Sequence, residues 1–444
     1  MSKEGAERSI MNHPVDEVLP PMRLLVLAIQ HVLTMYAGAV TVPLVISSAL
    51  HLGADQTAYL VSSDLVACGL VTLVQCIGLG PVGVRLPVMM GVTFVSVGPA
   101  IAIAANPALG LPGIFGATIV SGLLGIFIAP LFSRLSPLFA PVVTGTAMLL
   151  IGVSLMGVAV TWVAGGMSDA PGDPWGIVMA VFVIAVILAI IRFTRGFVSN
   201  TAVLLGLIAG FALAYGSGRV DLGPVGSAGW FSLVAPMHFG LPRFDLLSAA
   251  SMTVVMLITM VESSGMLFAL SRITERPLSS TDLARGLRAD AVGAILGGFF
   301  NSLPYTSYSQ NVAIVAMTGV RSRFVVAAAG GILILLGTLP KLSFLVTTIP
   351  PPVIGGAALV MFGMVAANGV QTLGRIDFTV DRKSPYVIAL GLSVGLIPFA
   401  NSKFFDRFPP TAAGFLHNGV MLGIVTALLL NVVLNGRPKT LSAA

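Results

Sequence analysis

Glu262 stands in Met260-Val261-Glu262-Ser263-Ser264-Gly265-Met266, with long apolar sequence on both sides. Removing a carboxylate from water makes its charge costly, which suits it to exchanging protons. It can donate a hydrogen bond when protonated and accept one from a ring N–H when ionised; the alternative is a structural acid bonded to its serine neighbours. Gln310 and Asn311 stand side by side. A side-chain amide presents a donor next to an acceptor, which matches the edge of a heterocycle carrying C=O beside N–H. Gln310 reads as a ligand contact or a cap, and Asn311 as a helix cap, a hinge or a second contact. Phe94 offers a face on which a flat ring can stack, although a phenylalanine in an apolar run ordinarily packs. His31, next to Gln30, can relay protons or simply bury its imidazole against a carbonyl.

The elements that must position these groups are membrane-spanning. Of 444 residues, 56% are hydrophobic and 9% are charged, against about 25% charged in an ordinary soluble domain. A water-soluble fold cannot hide so much apolar surface, whereas a bilayer can serve as its solvent. The 50 glycines and 28 prolines are scattered through apolar runs, as expected where small residues let membrane helices approach closely. Cys68 and Cys76 lie eight residues apart in one such run, too far apart along a helix to bridge. They read as reduced packing residues, with no metal site. The net charge of +6 comes without basic clusters interleaved with aromatics, so it does not point to nucleic acid. The first apolar run follows a charged tail without a cleavage-site pattern, so no removable signal peptide is expected.

Apolar runs occur at about 24–48, 57–80, 87–105, 112–132, 138–164, 175–193, 199–217, 246–271, 286–301, 305–318, 324–346, 350–370, 385–400 and 413–435. This predicts an all-α integral membrane protein of fourteen transmembrane segments with both termini on one side. With the termini in the cytoplasm, Arg219, Arg243, Lys341, Lys403 and Arg407 fall outside and the other eighteen of 23 basic residues fall inside, the positive-inside asymmetry. Seven spans precede the outer loop at 218–245 and seven follow it, so a duplication must be a 7+7 inverted repeat, a common transporter architecture. Spans 3 and 10 each open at a proline, Pro87 and Pro304, followed by short, β-branched or hydroxyl-bearing residues. Each is expected to form a short extended strand leading into a half-helix, whose N-terminal N–H groups face an electron-rich ligand.

Of 17 carboxylates, three fall within spans: Glu262, Asp64 and Asp290. An ionisable group at that depth costs roughly 2.5–3.5 kcal/mol and needs a partner or a task. Asp64 and Asp290 fall near predicted span ends, where they can anchor adjacent loops, and Asp290 is close enough to the span 10 break to join a proton network. There is no phosphate-binding glycine loop with its lysine and no His/Cys cluster. Catalysis, cofactors and nucleotide hydrolysis therefore find no support, and the driving force must be an ion gradient or the substrate's own.

The chain resembles the nucleobase–ascorbate transporter family, the nucleobase–cation symporters of the second class. The likeness is carried by Gln30-His31-Val32-Leu33 with Met35-Tyr36-Ala37-Gly38, by Thr93-Phe94, by Glu262-Ser263-Ser264-Gly265, and by Gln310-Asn311 through Thr318-Gly319. The last matches the family signature, with Ala313 where the signature has glycine. The resemblance implies a homodimer that works by elevator-like alternating access. It implies a core domain of 24–132 and 246–346 and a gate domain of 138–217 and 350–435, between cytoplasmic tails at 1–23 and 436–444. Carried over by position, Glu262 and Gln310 hold a purine base, Phe94 packs on it and backbone near Ser309 bonds it. Glu262, His31, Asp290 and Asn311 serve proton coupling or support the site. Gln310 points to purines rather than uracil, and apolar Met266, one turn past Glu262, points to urate over xanthine. The implied function is proton-coupled import of urate or xanthine across the plasma membrane of a bacterium, the inner membrane. A uracil symporter and an anion exchanger of the same fold are the alternatives; a channel is the third.

Overall fold

The computed structural model describes residues 13–135, 141–165, 173–401, 403–408, 416 and 418–435. Its first half comprises α1 (Pro21–Ala49), α2 (Ala54–Ile77), strand β1 (Met90–Val92), α3 (Val97–Ala104), α4 (Gly110–Leu135), α5 (Pro141–Val163), α6 (Pro174–Phe193) and α7 (Ala202–Gly216). The second half comprises α8 (Leu246–Thr274), α9 (Ser280–Phe299), strand β2 (Tyr305–Ser307), α10 (Ser309–Thr318), α11 (Arg323–Gly337), α12 (Pro340–Thr347), α13 (Pro351–Leu373), α14 (Ser384–Ala400) and α15 (Gly419–Asn435). Seven of these helices are long and apolar enough to cross a membrane by themselves: α1, α2, α4, α5, α6, α8 and α13. The run at 324–346 is not one helix: α11 and α12 meet at 77°, with Pro340 opening the second piece, where its missing N–H costs nothing.

Two positions differ from the sequence reading. Helix α9 begins at Ser280 rather than near 286, because Ser279 and Asp282 form a capping box: the Asp282 N–H donates to Ser279 Oγ at 3.1 Å and the Ser279 N–H to Asp282 Oδ2 at 3.2 Å. Asp290 therefore sits at mid-helix, and Asp64 likewise lies well inside α2, both fully buried. Neither is at a span end. Cys68 and Cys76 are free and buried, as read.

The packing sorts the helices into two groups. α9 lies against α4, α11 against α2, and α8 against α4; separately, α5 lies against α13, α6 against α7 and α13, and α14 against α15 and α5. The segment before α1 is fixed to the first group, since Asp16 pairs with Arg276 beyond α8 (3.1 Å) and with Arg323 at the start of α11 (2.7 Å). Lipid gives apolar helices no hydrophobic reason to associate, so close backbone approach has to do so. At the α2–α11 crossing, Gly69 faces Gly330, and a Cβ on Gly69 would meet the Gly330 carbonyl oxygen and stand 2.6 Å from Ile334 Cγ1. Gly69→Val should lower unfolding stability by about 1–3 kcal/mol through overpacking. A thermal-unfolding scan of the purified detergent-solubilised protein checks this; an unchanged midpoint would show that the crossing has slack.

Candidate functional site

Within the first group, between α2 and α8, the chain abandons helix. β1 and β2 run antiparallel, with Met90 opposite Ser307, Gly91 opposite Thr306 and Val92 opposite Tyr305. Two bonds extend the pair: the Thr93 N–H donates to the Pro304 carbonyl and the Tyr308 N–H to the Met89 carbonyl, each at 2.9 Å. Buried backbone must be paired somewhere, and these strands have helical hydroxyls on their outer edges. Thr72 of α2 accepts from the Met90 N–H (3.1 Å), and Ser263 of α8 accepts from the Ser307 N–H (3.2 Å). Gly91 is glycine because the Tyr308 ring covers it: an added Cβ would run into that ring. The Tyr308 hydroxyl donates across to the Val92 carbonyl at 3.1 Å.

A cavity of about 150 Å³ opens beside this pair. Its lining includes Glu262 and Thr306, the first turn of α10 with Ser309 and Gln310, Phe94, and Met364 and Asn368 of α13. Glu262 is half-buried, with its carboxylate toward the cavity, and Oε2 accepts from the Thr306 hydroxyl at 3.3 Å. Gln310 is exposed and lines the cavity, and its Oε1 accepts from Ser309 Oγ at 3.4 Å. The first N–H groups of α10 have no intrahelical acceptor and carry the positive end of the helix dipole. Phe94 stands edge-on to Phe362 of α13, with centroids 5.6 Å apart and planes at 81°. Among the described lining residues Glu262 is the one charged side chain. The space is thus apolar, edged with hydrogen-bonding groups, and able to hold a flat ring with polar edges.

The remaining sequence candidates are distributed around it. Asn311 does not cap α10: Tyr308 holds the N-cap position without a side-chain bond. Instead Asn311 Nδ2 donates to the His31 carbonyl at 2.9 Å and faces His31 Nδ1 at 3.1 Å, tying α10 to α1. His31 is buried and lies behind the first turn of α10 rather than on the cavity wall. Among the described residues no donor meets hydrogen-bond geometry at either oxygen of Asp290; its electrostatic neighbours are the Ser263 hydroxyl and Glu262. Met266 lies off the wall and packs against the main apolar cluster. Ala313 is exposed, so its methyl group does not obstruct the helix start. Sequence reasoning passed over Thr306, Tyr308 and Asn368. Asn368 had a usable signal, being a lone amide in the apolar run 350–370; Thr306 and Tyr308 are merely two of the residues in the stretch after Pro304 expected to be extended.

The profile of the Permease family matches residues 22–404. The uric acid transporter UacT of Escherichia coli is 49% identical over 98% of this chain and 90% of its own length. The chain belongs to the nucleobase–ascorbate family, among the xanthine and urate permeases. Within that family the nucleobase transporter PlUacP of Paenibacillus larvae is 42% identical, covering 94% of this chain and 96% of its own, and the xanthine permease of Bacillus subtilis is 40% identical, covering 93% and 94%. Among solved structures, the transmembrane domain of the cyanobacterial bicarbonate transporter BicA aligns with a TM-score of 0.57 at 16% identity, covering 94% of this chain and 99% of that one. SLC26A9 aligns at 0.61 and 11% identity, covering 97% and 70%. At such identities the likeness is one of fold: an all-α, multi-span membrane protein.

The tether between α1 and α10 can be tested alone. Asn311→Ala removes the bonds to His31 and should cost about 1–3 kcal/mol of stability, as for a buried polar contact left unpaired. A lowered thermal-unfolding midpoint in detergent is expected, and an unchanged one would mean that the tether carries no load.

Proposed function

We propose that the chain is a proton-coupled secondary transporter that imports an oxidised purine base, urate in preference to xanthine, and is not an enzyme. The observation that carries this reading is a single carboxylate, Glu262, facing an uncharged cavity beside the open N-terminus of α10. A base edge of alternating C=O and N–H groups can bond Glu262 on one side and Gln310 on the other, with Phe94 packed on the ring and backbone N–H near Ser309 as a further donor. Glu262 exchanges the coupled proton, with Asp290 and the His31–Asn311 pair supporting it. Met266, one turn along α8, is assigned a part in selectivity, since an apolar residue there leaves Glu262 the only charge near the ligand. The kinship with permeases called uric acid transporters and xanthine permeases supports the substrate class. The bicarbonate carrier and SLC26A9 share the fold, but the absence of Lys or Arg among the described lining residues argues against an inorganic-anion site, and a purine is favoured over uracil by Gln310.

In this reading fourteen segments form the 7+7 inverted repeat, with β1–α3 and β2–α10 as the two broken spans. The packing supports it: exchanging the first seven segments for the last seven carries α2–α11 onto α9–α4, α6–α7 onto α14–α15, and α6–α13 onto α14–α5, all of them packed pairs. α1–α4 and α8–α12 are the core that carries the base, and α5–α7 and α13–α15 are the gate against which it slides, within a homodimer. Both termini are cytoplasmic. The cavity reaches Thr144 and Asn200, on the side this topology makes cytoplasmic, while Trp162 Nε1 of α5 donates to Ser48 Oγ of α1 at 2.9 Å toward the other end.

Uptake of labelled urate, xanthine and uracil into cells lacking their own purine carriers, with and without a proton uncoupler, tests the proposal. Wild type should accumulate urate and xanthine and lose that accumulation with the uncoupler. Glu262→Gln keeps shape but cannot exchange a proton, so concentrative uptake should disappear. Normal accumulation by that variant would remove Glu262 from coupling.

A further inference from the structure

Asp64 is a buried acid that the proposed cycle does not use. It does not line the cavity and lies on the far side of β2 from Glu262. Its surroundings are specific. Oδ1 accepts from the Ser302 hydroxyl at 2.7 Å and from the Tyr305 hydroxyl at 2.9 Å, and the Tyr305 hydroxyl is itself 2.9 Å from Ser302 Oγ. Oδ2 has only the weak Cys68 thiol, at 3.6 Å. Both strong donors come from the stretch that enters and begins β2, whereas Asp64 is anchored in α2, which also meets the opposite strand through Thr72 and Met90. Tyr305 is fully buried, and successive strand residues point to opposite faces. Fixing Tyr305 on one face therefore fixes Thr306 on the other, where it bonds Glu262.

We propose that Asp64 is a positioning residue for transport: through one oxygen it holds Ser302 and Tyr305, and thereby sets Thr306, Glu262 and the start of α10 against the bound base. The role needs an acceptor at Oδ1 and no change of protonation. The contrast with Asp290, at the corresponding place in the second half, is chemical. Among the described residues Asp290 has no donor in hydrogen-bond geometry, with the Ser263 hydroxyl and Glu262 as its electrostatic neighbours, whereas Asp64 has its donors already and faces away from the cavity.

The inference rests on the transport reading, and the test keeps the two apart. Initial rates of urate and xanthine uptake, KM and the pH profile are measured for wild type, Asp64→Asn, Asp64→Ala and the pair Ser302→Ala/Tyr305→Phe, with membrane abundance determined for each. If wild type takes up neither base, the transport reading fails before Asp64 is judged. Asp64→Asn keeps an acceptor at Oδ1, so KM and the pH profile should stay within about twofold of wild type. Asp64→Ala and Ser302→Ala/Tyr305→Phe should raise KM at least tenfold while leaving the pH profile in place. Should Asp64→Ala not reach the membrane, the Ser302/Tyr305 pair carries the same test from the donor side. An inactive Asp64→Asn that is present in the membrane, or one with a displaced pH profile, overturns the inference in favour of a proton-handling role. A wild-type KM in the variants lacking either side of the contact overturns it as well.

Discussion

The site depends on how two three-residue strands satisfy their backbone inside a membrane protein. Hydrocarbon supplies no hydrogen bonds, so non-helical backbone at that depth survives only where protein completes it. Met90–Val92 and Tyr305–Ser307 complete one another, and Thr72 and Ser263 supply acceptors on the outer edges. Each strand therefore needs the other, and the halves of the chain from which they come cannot form the site independently. Once paired, they aim the starts of α3 and α10 from one place, and the open N–H groups of α10 meet the cavity without any charged side chain from that helix.

Around this pair the polar groups have separate tasks. Among the described lining residues Glu262 alone carries charge, and an acid in an apolar space is costly enough that its protonation and the binding of a hydrogen-bonding ligand must influence each other. His31 and Asn311 stand behind the helix start and join α10 to α1, so motion of one carries the other. On the α13 side Met364 and Asn368 line the cavity, and Phe362 of the same helix stands against Phe94. A ligand held by one group of helices and covered by the other suits transport by relative movement of the two.

The sequence spoke clearly where a residue violated its surroundings. Glu262 and His31 are polar in apolar runs, and that contrast survives without any knowledge of contacts. The prolines at 87 and 304 and the short residues after them pointed to extended backbone for the same reason: such stretches make poor membrane helix. What it could not convey was partnership across distance. Asp64 and Asp290 looked like loop anchors because apolarity alone sets span ends poorly; capping by Ser279 and Asp282 extends α9 and places Asp290 at mid-helix, while the stretch that enters and begins β2 claims Asp64. Asn311 looked like a cap, but its amide reaches His31, which is 280 residues away in sequence. Thr306 carried no signal, because its importance comes only from facing Glu262. The bend between α11 and α12 was hidden inside a continuous apolar run, marked by Pro340 alone.

In the proposed cycle a proton travels with the base through Glu262. The most direct measurement is the pH inside proteoliposomes loaded with a pH-sensitive dye and given an inward urate gradient, with no imposed proton gradient. The account predicts that the lumen acidifies as urate enters, that xanthine gives the same direction, and that vesicles without protein show neither. Urate accumulation measured in the same vesicles with no change in internal pH would contradict it.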